Sequence, residues 1–97
     1  MTPHQIRYTP TAAESIRHLH PSIKQALREA IRGLAADPFS GHPLAFELAG
    51  FRSLRVSRYR VIYRVQEADR VVEIHLVGAR RDIYAVFRQF LERTAQA

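Results

Sequence analysis

The chain has 97 residues, 46% of them hydrophobic and 25% charged, proportions that fit a single folded domain spanning residues 1–97. It contains no cysteine, which excludes a disulfide framework, a thiol nucleophile and a cysteine metal site. The formal net charge is +6, and no stretch reads as a signal peptide or a membrane span, so a cytoplasmic protein with a polyanionic partner is expected.

In chain order, Gln5–Tyr8 alternates as a short strand. Thr9-Pro10 then marks a helix start with proline in the first turn, although Thr11 and Glu14 also spell a capping box. The first helix is expected to run to about Leu19, with Ala12, Ile16 and Leu19 on one stripe. A second helix is expected from Pro21 to Ala36, where Ile23, Leu27, Ala30, Ile31 and Leu34 recur at helical spacing before Asp37-Pro38 stops it. The short link between them predicts an antiparallel helical hairpin. The segment 38-PFSGHP-43 reads as a loop leading to Phe46–Leu48 and a turn at Gly50.

After Gly50 the apolar period changes from 3.6 to 2. Strands are predicted at Arg52–Val56, Tyr59–Gln66 and Arg70–Val77, joined by connections short enough for antiparallel hairpins. A third helix is predicted at Asp82–Arg93, with Ile83, Phe87, Phe90 and Leu91 as its stripe. The order β-α-α-β-β-β-α predicts an α+β fold. Its sheet is four-stranded and mostly antiparallel, with the helical hairpin on one face and a C-terminal helix.

Charge is concentrated in the second half. Residues 1–48 hold five Lys/Arg against four Asp/Glu, while residues 49–97 hold ten against five, and Lys24 is the sole lysine. Arginine's planar fork grips phosphate or carboxylate through two parallel hydrogen bonds and stacks on bases. In 52-RSLRVSRYRVIYR-64, five of thirteen residues are arginine. Alternation puts Leu54, Val56, Tyr59, Val61, Tyr63 and Val65 on one face, toward the helices. Ser53, Arg55, Arg60, Ile62, Arg64 and Gln66 fall on the other. The second face is therefore expected to be an open platform presenting Arg55, Arg60 and Arg64 together, with Arg55 also placed to pair with Glu73. His18 and His20 lack a third ligand at suitable spacing, His75 reads as structural, and no metal site or other cofactor is expected.

The runs 48-LAGFRSLRVSRYRVIYRV-65 and 76-LVGARRDIY-84 resemble the RelE/ParE superfamily of bacterial type II toxins. The shared parts are Leu-x-Gly-Phe, Leu-Arg-Val-x-x-Tyr-Arg-Val-Ile-Tyr and Val-Gly-x-Arg-x-x-Ile-Tyr. The resemblance implies a toxin held in a hetero-oligomer by a cognate antitoxin. In its RelE-like branch it implies a ribosome-dependent, metal-independent mRNA endonuclease: the ribose 2′-hydroxyl attacks the adjacent phosphate, leaving a 2′,3′-cyclic phosphate and a 5′-hydroxyl. In its ParE-like branch it implies a DNA gyrase inhibitor without nuclease activity. The short helical hairpin and the long helix after an arginine-rich turn look more like the RelE-like branch.

Position by position, Arg60 matches the arginine at the scissile phosphate, Arg80 a second catalytic arginine, and Tyr84 the tyrosine that orients the mRNA. Arg52, Ser53, Arg55, Arg64 and Arg81 are the accompanying RNA-binding candidates. One departure concerns the general base. RelE-like enzymes carry two lysines where this chain has Phe51 and Ser53. A branch similar to YoeB instead uses a glutamate just before Pro-Leu, and here that position is His42, in 42-HPLAFELAGF-51. Imidazole titrates near neutral pH, so His42 is the expected base, with Glu47 as its reserve.

Overall fold

The computed structural model describes the backbone of residues 2–79 and 83–96, and side chains as far as residue 93. Thr9 settles the choice between helix starts. Its Oγ1 accepts the Ala12 N–H at 3.1 Å and Pro10 opens α1, Pro10–Arg17. α2, Pro21–Gly33, begins the same way, except that the His20 Nδ1 accepts the Ser22 N–H at 3.2 Å. This helix stops three residues before the predicted end. Leu34 is buried, and the Ala35 carbonyl accepts the His4 N–H at 2.8 Å, so the last turn ties down the N-terminal segment.

The strands are β1 (Gln5–Tyr8), β2 (His42–Pro43), β3 (Arg52–Val56), β4 (Tyr59–Gln66) and β5 (Val71–Gly78), with α3 at Ile83–Gln96. They form one sheet in the order β1-β5-β4-β3-β2, in which only β1–β5 is parallel. The sheet is α+β in context and mostly antiparallel as expected, but five-stranded rather than four. β2 is two residues long and includes a proline, too short for any periodicity to announce it and confined to the edge by the missing N–H.

Each face of the sheet carries its own core. Leu54, Val56, Val61, Tyr63, Val72 and Ile74 pack under α1 and α2 with Ala12, Ile16, Leu27, Ile31 and Leu34. On the opposite face, Ile62 packs with Leu48, Phe51, Ile83 and Phe87. That second core corrects the expectation of an open platform. α3 lies across the face, and Ile62, between Arg60 and Arg64, is fully buried beneath it.

The register slips by one residue at Ile62/Tyr63, pairing Ile62 with Leu76 and Tyr63 with Ile74. The extra residue, His75, joins the α3 face with its ring edge-on to Phe51 at 5.1 Å and to Phe87 at 5.9 Å. On the hairpin face, the buried Tyr63 hydroxyl donates to the Pro38 carbonyl at 2.8 Å and accepts the Gly41 N–H at 2.9 Å. This pins the loop that leads into β2. Residue 41 must be glycine here, because an added Cβ would lie 2.4 Å from that hydroxyl.

Candidate nucleic-acid interface

Cross-strand partners share a face, so the register assembles the α3 face in rows. One row runs His42, Ser53, Ile62, Leu76 across β2, β3, β4 and β5. The next runs Arg55, Arg60, Gly78. Gly78 lets the first turn of α3 close over the sheet end, since a Cβ there would lie 2.9 Å from the Ile83 Cδ1. That approach brings the Tyr84 hydroxyl to 2.9 Å from the Ser53 Oγ. Ser53, only 7% exposed, thereby has a partner for its hydroxyl.

Arg55 and Arg60 face each other directly, an arrangement that like charges disfavour. Among the described residues neither makes a salt bridge. Arg55 holds its Nε against the Ser57 carbonyl at 3.2 Å, beside the turn where Ser57 takes a left-handed φ of 58°. The expected pairing of Arg55 with Glu73 does not form. The register sets Arg64, not Arg55, opposite Glu73, four residues farther along β4 from Arg60.

Arg64 therefore leaves the expected cluster. Its guanidinium carbon lies 5.8 Å from the centroid of the Phe51 ring, on the far side of the Ile62–Phe87 core. Burial alone would raise the Glu73 carboxyl. The Gln66 amide and His75, hydrogen-bonded to it, and the nearby Arg64 charge together bring it below its ordinary value. Burial pushes the His75 imidazole down from its ordinary value, helped by Arg64 and opposed by the Glu73 carboxylate.

Arg52 sits on the other face altogether, opposite Tyr63. Its Nε donates to the Gly41 carbonyl at 3.1 Å and its Nη2 to the Phe39 carbonyl at 3.0 Å, with the guanidinium 5.2 Å from the Phe39 ring centroid. His42 is exposed at the β2 edge, in register with Ser53. Glu47 meets Arg88 of α3 at 3.9 Å. Arg80 and Arg81 lie outside the described residues.

The register thus places Arg55, Arg60, Ser53 and the His42 position on one face, with Tyr84 reaching Ser53. It sets Arg52 on the other face, and leaves Arg64 on the α3 face one row beyond Ile62, on the opposite side from Arg60. The Ser53–Tyr84 contact went unread because it depends on how α3 docks. The available signal was Ile62, an apolar residue in the middle of an otherwise polar strand face. No group of three or more potential ligands that could hold a metal occurs among the described residues, and none of their helices is long and apolar enough to cross a membrane.

A family model described as the ParE toxin of the type II toxin–antitoxin system parDE matches residues 6–84. The chain is 39% identical over 84 residues to Toxin RelG of Mycobacterium tuberculosis, covering 84% of this chain and 97% of that protein. It is 33% identical over 84 residues to Toxin RelE of the same organism, covering 84% and 87%. Among solved structures, a chain of the M. tuberculosis toxin–antitoxin complex RelBE2 aligns with a TM-score of 0.77 at 38% identity, over 84% of this chain and 97% of that one. The isolated Escherichia coli RelE toxin shares the fold, with a TM-score of 0.69 at 17% identity over 91% and 98% of the two chains.

Proposed function

The chain belongs to the ParE toxin family of type II toxin–antitoxin systems, within the RelE/ParE superfamily, and from that premise we propose that it is a ribosome-dependent, metal-independent mRNA endonuclease restrained by a cognate antitoxin. The observation that carries this reading is the Arg55–Arg60 pair. Two guanidinium groups directly opposed across adjacent strands, without a carboxylate partner among the described residues, suit a phosphate better than they suit the fold.

Cleavage needs a base for the 2′-hydroxyl proton, cations for the charge that gathers on the phosphorane oxygens, and a donor for the departing 5′-oxygen. In this reading Arg60 and Arg55 neutralise the phosphate. Tyr84, held by Ser53, orients the nucleotide beside it. His42, in register with Ser53 at the edge of the same face, takes the 2′-hydroxyl proton, with Glu47 as the reserve. The resemblance assigns Arg80 to the developing charge and Arg81 to RNA binding. Antitoxin docking over the arginines would then inhibit by covering the site.

Translation on purified ribosomes with mapped mRNA ends tests the proposal. Cuts bearing a 2′,3′-cyclic phosphate and a 5′-hydroxyl are expected. Tyr84→Phe should slow cutting about tenfold, since positioning is lost while the arginines remain. A second reading, inhibition of DNA gyrase without nuclease activity, draws on the ParE description of the family model and on the absence of the lysine pair. Phe51 is a core residue and the Ser53 hydroxyl is bonded to Tyr84. Intact mRNA with an inhibited supercoiling reaction would favour that reading and end the first.

A further inference from the structure

Phe46 is 90% exposed, the most exposed of the large apolar side chains among the described residues. Its φ of 55° puts it in the left-handed region that residues with a Cβ adopt at a cost. The turn that carries it is nevertheless closely fixed. The Leu44 N–H donates to the Phe51 carbonyl at 2.9 Å, Leu48 N–H to Ala45 at 3.1 Å and Ala49 N–H to Phe46 at 3.1 Å. Leu44 and Leu48 both belong to the apolar cluster beneath α3, and Glu47 between them reaches Arg88. A strained, well-anchored turn therefore holds one aromatic ring out in water.

We propose that Phe46 is a stacking platform for a base of the bound RNA, beyond the Tyr84–Ser53 contact from the phosphate held at Arg55 and Arg60. This rests on the RNA reading of that face. The placement follows α3: Tyr84 touches Ser53 and Arg88 touches Glu47, and residues four apart share a helix stripe about 6 Å long. The turn carrying Phe46 thus lies one helical turn from the Tyr84 contact, on the same side of α3. A lone ring also suits a base better than a protein partner. Neither exposed chain neighbour, Ala45 or Glu47, adds a large apolar side chain beside the ring in the turn, whereas protein hot spots sit within clustered pockets. Stacking asks only for a flat apolar face, which every base has.

The chain contains no tryptophan, so Phe46→Trp introduces a single reporter. The probe is a short single-stranded 2′-O-methyl RNA, which cannot be cut. Tryptophan emission should be quenched in step with binding followed by fluorescence anisotropy. Phe46→Ala should weaken binding roughly tenfold, and Phe46→Tyr should restore most of it. Phe46→Gly should bind as poorly as the alanine variant yet melt no lower than the parent, because glycine accepts the left-handed backbone. Binding to Phe46→Trp without quenching, or parental binding by Phe46→Ala, would overturn the proposal and leave the RNA reading standing. A concentration-dependent blue shift without RNA would also overturn it, by showing a contact between copies of the chain. If the parent binds neither the oligonucleotide nor ribosomes programmed with uncleavable mRNA, the RNA reading of the face falls and Phe46 with it; if it binds only the ribosomes, parental binding there by Phe46→Ala overturns the proposal.

Discussion

On the hairpin face of the sheet, Arg52 spends its donors on the carbonyls of Phe39 and Gly41 and lies against the Phe39 ring. Three residues along the same strand, on the α3 face, Arg55 stands opposite Arg60. The first arginine is a staple: every contact it makes is internal, and it fixes the loop that Tyr63 also grips. The pair on the other face makes one local bond, Arg55 Nε to the Ser57 carbonyl, and its two charges repel each other. Arginine count therefore says little about which face of this protein is open to a polyanion. What distinguishes the two regions is whether the guanidinium donors are already satisfied.

The contrast is broken most sharply by single alanine substitutions. Arg60→Ala should reduce mRNA cleavage on ribosomes by roughly 10²- to 10³-fold, the scale for losing a charge-stabilising donor. Its melting temperature should hold or rise, since a like-charge repulsion is relieved. Arg52→Ala should behave in the opposite way. It should lose about 1–2 kcal/mol, roughly 4–15 °C in a domain this size, and cleave normally at a temperature where it is folded. Equal losses of activity would mean that overall charge, not this geometry, matters.

Next in size is the anchor behind Arg52. Tyr63→Phe leaves the Pro38 carbonyl and Gly41 N–H without their buried partner, which costs about 1–3 kcal/mol by thermal or urea unfolding. Gly41→Ala meets the same hydroxyl sterically and should destabilise at least as much. In either variant the α3 face should keep its RNA affinity while the chain is folded. A variant that stays folded and loses affinity would show that the two faces are coupled.

Much of this contrast was legible before any coordinates. Period-2 alternation gave both faces of β3 and β4 correctly, because each strand has one continuous apolar side to bury. The helical hairpin followed from its two proline starts. The α3 stripe was also plain, but nothing local says which face a helix covers. Arginines flanking Ile62 suggested an open surface, although the isoleucine itself belonged to a second core. Register was the other blind spot. The slip at Ile62/Tyr63 turns His75 toward Phe51 and sets Arg64 against Glu73, and no spacing in the sequence encodes it. In the site, Arg55, Arg60 and Ser53 share the face that Tyr84 reaches. Arg52 is stapled to loop carbonyls on the other face, and Arg64 is exposed on the α3 face beside Phe51, a difference that a charged side chain on a strand does not reveal in sequence.

Salt gives a smaller but cleaner discrimination. Each phosphate contact on single-stranded RNA releases counterions, so the logarithm of affinity should fall with the logarithm of salt by about 0.7 per contact. Arg60→Ala and Arg55→Ala should each flatten that slope by about 0.7. Arg52→Ala should leave it unchanged, because its guanidinium is committed to the loop carbonyls.

The smallest expected effect lies at the far end of the α3 face, where His75 packs between Phe51 and Phe87 with Glu73 and Arg64 beside it. The folded imidazole titrates below its ordinary value of 6.5, so as pH falls the unfolded chain takes up a proton first. Stability from this group is complete above that ordinary value and declines as pH drops toward the folded one. Glu73 acts lower. Its folded carboxyl titrates below the ordinary 4.5, so its contribution persists above that value and is lost only as pH falls through the folded one. His75→Phe, which retains a ring against Phe51 and Phe87, should flatten the loss of stability below about pH 6.5 and also shrink the more acid limb, because the His75 bond helps hold the Glu73 carboxyl below its ordinary value. The effect should also be local. Amide exchange in α3 should accelerate in mild acid before exchange in α1 and α2, since only α3 rests on the His75 ring. Simultaneous acceleration in all three helices would show that the two cores open as one unit, and that the faces differ in their arginines alone.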